Sequence, residues 1–398
     1  MKKAFIFAAA AALVLAACSK NEIIETINKV PEEVAIGFSN YTPNAVTKAN
    51  DTYTGTTLLK NGGKFAVMSY STDNSTAWAS NAIGTNFMDK VAVTWTTNDT
   101  PANNSYSPTR YWPSGDSPAW LSFWAYYPVN ATSAGVAENT AAANNGIEYT
   151  SPSGSNGIGS FNFTVANAAA NMVDFMISDV VNDKIYGTST GDHVAENGVV
   201  PLSFHHMLTR VQFYFKTDKL DSDTYTDVAI TSATLSNAYT HGTVTTTYAS
   251  GSTTRTWESL GVESPAIDFN VVSTELALSS ENAKTPSGVN YAATYPSTSD
   301  IYMMVPQNLT SSGPELTINY TIKTYADGAT HSAENLLSTT TNTATVLLNE
   351  VTNSSSIAIT NWAANNVITY TFTVGVHPVQ FTATVDGWDT ETTGSLTV

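Results

Sequence analysis

Apolar residues recur at every second position through much of this chain, the period of a half-buried β-strand. The cleanest run is Ile368-Thr369-Tyr370-Thr371-Phe372-Thr373-Val374. A turn at 375–378 follows, and Phe381-Thr382-Ala383-Thr384-Val385 runs back to Gly387-Trp388. That arrangement predicts a β-hairpin. Near the other end, Val34, Ile36 and Phe38 share one face of a first strand. Between them, strand-like runs lie at 64–70, 90–96, 106–112, 120–127, 161–165 and 173–181, then at 199–216, 228–239, 242–248, 301–306, 316–324 and 343–348, with turn residues between. Residues 130–160 are rich in Ala, Asn, Gly and Ser and read as a long surface loop. A second Gly- and Asn-containing break, 187–198, divides the strands into two sets of about seven. The pattern predicts an all-β chain of two tandem antiparallel β-sandwich domains joined near residue 190.

The first residues follow a different rule. Lys2 and Lys3 precede an apolar stretch, 5–14, that is short for a bilayer span, and Leu15-Ala16-Ala17-Cys18 supplies a small-residue cleavage site. This is the form of a lipoprotein signal peptide, 1–17, with Cys18 as the lipidated first residue of the exported chain. Cys18 is the single cysteine among 398 residues, so the exported protein is expected to hold together without disulfides. A polar tether, 19–29, follows. No later run is apolar for long enough to predict a membrane helix, so membrane attachment is expected through the lipid alone.

Composition narrows the function. Charged residues make up only 12%, aromatics 11%, and the net charge is −17. Arg110, Arg210 and Arg255 are the only arginines and form no basic run, so nucleic acid is not an expected partner. No nucleophile elbow, His-Glu-x-x-His pair or phosphate loop occurs. His205 and His206 are adjacent on a predicted strand and point to opposite faces, which argues against a shared metal. Asp221-Ser222-Asp223 reads as a solvated turn. No catalytic residue, metal site or cofactor is predicted. The aromatic cluster Tyr111, Trp112, Trp120, Phe123, Trp124, Tyr126 and Tyr127 suggests a sugar-stacking platform. Its alternation, however, requires at least one face to be core.

Several motifs in order carry a resemblance. They are the lipobox 15–18, Arg110-Tyr111-Trp112-Pro113, Leu121-Ser122-Phe123-Trp124-Ala125-Tyr126-Tyr127-Pro128, Pro201-Leu202-Ser203-Phe204-His205-His206-Met207-Leu208, Val305-Pro306-Gln307, and the closing segment 381–388. Over essentially its whole length the chain resembles the fimbrillins, lipoprotein-derived pilins of the type V pili of Bacteroidetes. The resemblance implies transthyretin-like β-sandwich domains and a lipidated precursor at the outer membrane. It also implies a trypsin-like protease that removes the propeptide, 18–48, with its first strand. Lys48 before Ala49 occupies the place of the cleavage site, as a lysine where the best-known pilins have arginine. The vacated groove would then accept a C-terminal strand of another subunit, offered here by Phe381, Ala383 and Val385 or by Leu396 and Val398. Implied partners are other pilus subunits, the protease, and a host or bacterial surface ligand. Two alternatives are an uncleaved, permanently lipidated anchor or accessory subunit, and a surface glycan-binding lipoprotein. Energetics alone favour exchange. Burying Val34, Ile36 and Phe38 contributes roughly 5–9 kcal/mol, against a total domain stability of about 5–15 kcal/mol.

Overall fold

The computed structural model describes residues 33–41, 63–78, 84–94, 105–115, 117–129, 146–152, 157–187, 192–262, 266–288, 300–352, 357–375 and 380–387. Its elements are β-strands, apart from a 3-10 turn at Ala169–Asn171. The largest sheet runs in the order β1 (Gly37–Tyr41), β10 (Val199–His206), β7 (Met176–Ser178), β4 (Trp120–Tyr127), β2 (Lys64–Thr72), β3 (Thr85–Thr94). β8 (Val181–Gly187) lies beside β4, and β9 (Val194–Glu196) beside β8. A second sheet is ordered β17 (Ile301–Met304), β11 (Thr209–Thr217), β22 (Asn366–Val374), β23 (Gln380–Gly387). A third is ordered β15 (Phe269–Val272), β12 (Thr226–Ser236), β19 (Glu315–Tyr325), β20 (Leu336–Leu347), with β16 (Leu276–Ala277) against β12. A fourth joins β14 (Ser252–Gly261), β13 (His241–Ala249), β6 (Gly157–Thr164) and β5 (Ile147–Thr150), and β18 (Gln307–Asn308) pairs with β21 (Asn361–Trp362).

Side-chain chemistry explains which strands are central. β2 and β4 are near-continuous apolar runs, buried on both faces. They divide two cores. Phe65 and Val67 of β2, with Leu121, Phe123, Ala125 and Tyr127 of β4, join Ile36, Phe38, Trp112, Leu202 and Phe204 in the smaller core. Ala66, Met68, Tyr70, Trp124 and Tyr126 face the larger one, which continues into the second half through Phe161, Phe175, Phe213 and Tyr370. Tyr70 stacks on Trp124 with ring centroids 5.4 Å apart, and Trp78 packs against the same indole. β22 buries Ile368, Tyr370, Phe372 and Val374 while its threonines stay half-buried, as its alternation predicts.

The smaller core is wrapped by a single sheet that closes on itself. β3 and β1 are the two ends of the strand order, and residues 105–112 bridge them. At one end Thr94 and Ser105 exchange backbone hydrogen bonds of 2.9 and 3.3 Å. At the other, Ile36 N donates to Arg110 O at 2.9 Å and Trp112 N to Val34 O at 3.0 Å.

Three expectations need correction. The stretch 130–160 is not loop throughout, because Ile147–Thr150 and the start of Gly157–Thr164 are strands that bury Ile147 and Ile158. The break at 187–198 is not a linker in strand pairing. β9 falls inside it and pairs with β8, β10 belongs to the sheet of the first half, and β6 pairs with β13 of the second. A cut between 190 and 191 would sever that first sheet from β10, the strand that holds β1. The pairing is also not wholly antiparallel, since β1 with β10, β11 with β22 and β8 with β9 are parallel. These parallel pairs join strands that no tight turn connects, a relation that local periodicity does not encode.

The aromatic cluster is core on both faces. Trp124, Tyr126, Leu121, Phe123 and Tyr127 are all buried, Trp120 is half-buried, and Tyr111 is the exposed ring of the group. These residues form no exposed row on which a sugar could stack.

Candidate functional site

The candidate site is the slot occupied by the first described strand, β1. Regular strand begins at Gly37, slightly later than the alternation of Val34, Ile36 and Phe38 suggested, and Ala35 makes an isolated antiparallel bridge to Tyr111. β1 lies parallel to β10 in the register Gly37↔Val199 through Tyr41↔Ser203. Its other side is held at Arg110 and Trp112. The segment 34–41 is therefore the stave that joins β10 to the 105–112 bridge.

Alternation sends its large side chains inward. Ile36 and Phe38 are fully buried, whereas Val34 is half-buried. The Phe38 ring meets Phe65, Tyr106 and Phe123 edge-on, with centroids 6.3, 5.7 and 6.1 Å away. Edge-to-face contacts suit the ring quadrupoles and add to simple burial. Gly37 lies on the other face, and its N–H donates to Gly198 O at 2.9 Å.

The groove supplies polar anchors at the strand's entry. The Tyr106 hydroxyl donates to Ile36 O at 2.8 Å and accepts from Arg110 N at 3.3 Å. Burial pushes its pKa up, with the contacts to Arg110 opposing that shift, so the hydroxyl stays a neutral donor. The Trp112 indole N–H donates to Gly198 O at 3.0 Å, beside the bond from Gly37. Gly198 itself is constrained. Its φ is +77°, and an added Cβ would stand 3.0 Å from Val34 Cγ1, 3.1 Å from Trp112 Nε1 and 3.3 Å from Ala35 O. Gly198→Ala is therefore expected to lower unfolding stability by about 1–3 kcal/mol in a urea titration, despite the stiffer unfolded chain. A neutral result would mean that the strand's entry is looser than this geometry.

The other predicted site residues are placed elsewhere. Ala383 is buried and Val385 is 40% exposed on β23, which pairs antiparallel with β22 in the register Phe372↔Phe381 and Ile368↔Val385. Ala383 N also donates to Thr352 O at 3.1 Å. This strand thus completes the sheet of its own half. Cys18, Lys48, Ala49, Leu396 and Val398 lie outside the described residues. The two histidines do diverge. His206 Nδ1 meets Asp174 Oδ1 at 2.9 Å in a buried pair, and His205 Nε2 meets the more exposed Asp179 at 2.9 Å. Arg255 Nη2 reaches the second oxygen of Asp179 at 2.7 Å, tying β14 to the segment before β8.

Periodicity in sequence found Ile36 and Phe38. It missed Tyr106, Trp112 and Gly198 as groove residues, because their role depends on a contact between segments far apart in the chain.

A family model described as fimbrillin-like matches residues 47–388. Among solved structures, a fimbrial protein from Bacteroides vulgatus is similar at 18% identity, covering 89% of this chain and 99% of that one with a TM-score of 0.57. A putative cell adhesion protein from Bacteroides uniformis is similar at 16% identity, covering 90% and 99%, with a TM-score of 0.46. A fimbrilin from Porphyromonas gingivalis is similar at 12% identity, covering 90% and 98%, with a TM-score of 0.38. No curated protein sequence matches. A match over most of the length, to residues that include the whole groove apart from its first strand, has one meaning: the chain belongs to the fimbrillin-like family.

Proposed function

We propose that this chain is a structural or adhesive pilus subunit, exported as an outer-membrane lipoprotein through Cys18 and polymerised by strand exchange after cleavage between Lys48 and Ala49. The observation that carries this reading is the position of β1. It is joined to the rest of the molecule on both edges and buries Ile36 and Phe38 in the smaller core. It is also the first described strand, so one cut beyond Tyr41 separates it from every other described strand. Its departure would leave β10 and residues 110–112 with open edges that pair with whatever strand is offered, the β-augmentation mode.

Assembly of this kind needs no catalytic residue, and the role is non-enzymatic. The incoming strand comes from the C-terminal segment of another subunit. β23 would first have to surrender its register with β22 and the burial of Ala383, which favours Leu396 and Val398 as the donor residues.

The test is Lys48→Ala in cells that build the filament, with the heat-labile ladder of multimers read on a gel. The variant is expected to remain a lipidated monomer, while the native surface form begins at Ala49 on N-terminal sequencing. Deleting 388–398 should abolish the ladder without preventing cleavage. A full ladder from Lys48→Ala would overturn the processing step and return the chain to the anchor reading.

A further inference from the structure

An unpaired strand edge is a template for another strand, and proteins block such edges with charge, proline, bulges or short length. Most edges here are blocked. β3 carries Asp89 and Lys90, and Ser105 pairs with it at Thr94. β14 carries Arg255 and Glu258 and its register shifts near His241. β5 has four residues, one of them Glu148. Ala383 of β23 is engaged by Thr352.

From Ser338 to Leu347 β20 has none of these defences; its register against β19 shifts only at its start, where Ser338 pairs with Thr324 but Leu336 with Tyr325. At twelve residues it is the longest strand among those described, and β19 is its only strand partner among them. Leu336–Leu347 contains no charged residue, proline or glycine, and residues 336–341 are exposed on both faces, with Leu337 at 67%. The uncharged run extends from Asn335 to Asn349 in a chain of net charge −17. Five threonines in the strand favour extended backbone.

We propose that β20 is a pairing edge for a second copy of this chain, with the two β20 strands antiparallel across a two-fold axis so that two sheets become one. Charge selects this occupant. Two copies of an acidic protein repel wherever their charges meet, and β20 is the long edge where none do. The strand is also complementary to itself when reversed. Its apolar residues stand at the two ends, Leu336 and Leu337 at one and Val346 and Leu347 at the other, with Ser, Thr and Asn between. Centring the axis on Thr341 or Asn342 sets Leu336 opposite Val346, or Leu337 opposite Leu347, of the other copy. Across Ser338–Leu347 either centre matches residues of the same face, since opposed positions have the same parity, while the shift at Leu337 takes Leu336 off the face of Val346. The contact shares no residue with the groove around β1 and does not require cleavage. Its consequence for filaments rests on the polymer reading above: pairs repeated along two filaments would align them side by side by avidity.

The test uses the full-length chain with Cys18→Ala, so that an introduced cysteine is the only thiol. Cysteines are placed singly at Thr339, Thr341, Asn342, Thr343 and Thr345, and disulfide-linked dimers are measured after mild oxidation. Cross-linking should peak at position 341 or 342 and fall toward both ends. Equal cross-linking at all five positions would indicate parallel pairing, and none would indicate no pairing; either result overturns the proposal. In sedimentation equilibrium of the Cys18→Ala chain, Thr343→Lys should weaken self-association at least about tenfold. An unchanged association, or a reference chain that stays monomeric, would overturn it as well.

Discussion

Phe38→Ala is expected to lower the stability of the uncleaved chain by about 3–5 kcal/mol, the cost of removing a large aromatic from a packed interior. Phe38 is fully buried and touches three rings, Phe65, Tyr106 and Phe123, that belong to different parts of the sheet. Truncation removes the transfer free energy of the ring and leaves a cavity that those neighbours cannot fill without leaving their own places. The edge-to-face contacts add roughly 0.5–1.5 kcal/mol per pair beyond burial. Ser39, on the opposite face of β1 and half-buried, makes the control: Ser39→Ala should change stability by about 0.5 kcal/mol or less. Urea titration followed by tryptophan fluorescence measures both. A loss under about 1 kcal/mol for Phe38→Ala would mean that the first strand is not what completes the smaller core.

That result bears on function because a domain is stable by only about 5–15 kcal/mol. A single side chain of the first strand then accounts for a large part of what holds the smaller core together. Strand exchange needs such a balance. In the proposed assembly the first strand would have to hold the precursor folded during export, yet its loss would have to leave the rest needing a replacement.

How much of this was legible in sequence depends on distance along the chain. The β22–β23 hairpin was legible because both strands and their turn lie close together between Asn366 and Gly387, and the apolar/threonine alternation marks each face. The face formed by Ile36 and Phe38 was legible for the same reason. What Ile36 and Phe38 pack against was not. β1 pairs in parallel with β10, more than 150 residues later, and no local pattern specifies that partner. Pairing across 187–198 was hidden on the same ground, since its Gly and Asn residues mark turns around β9 rather than the end of a sheet. Ile147, Tyr149 and Ile158 were hidden among small residues, although they belong to the hairpin whose β6 pairs with β13. Tyr106 and Trp112 were read as members of an ordinary strand. They instead form a bridge that closes the sheet through isolated pairings. Long-range register, not strand content, was the missing information.

The second large effect concerns the whole strand. A chain that starts at Ala49 is expected to lose the burial of Ile36 and Phe38, about 3–6 kcal/mol. It also loses the pairing of β1 with β10 and with Arg110 and Trp112, where each net hydrogen bond is worth about 0.5–1.5 kcal/mol. Together these approach the stability of a domain, so the smaller core should unfold at low urea or draw a strand from a neighbour. The groove retains part of its shape by its own bonds, because the Trp112 indole still reaches Gly198 O and Arg110 N still reaches the Tyr106 hydroxyl. A synthetic peptide with the sequence 33–41 should therefore bind the trimmed chain and restore stability by mass action, about 2.7 kcal/mol at a hundred times its dissociation constant. The same peptide with Phe38→Asp should not, since an unpaired carboxylate cannot enter the space between Phe65 and Phe123 without a large desolvation cost. A peptide with Gly37 and Phe38 exchanged tests the face directly, because it moves the ring to the side that meets no core. If the trimmed chain is as stable as the uncleaved one, or if all three peptides act alike, the slot of β1 is not a receptor for a strand.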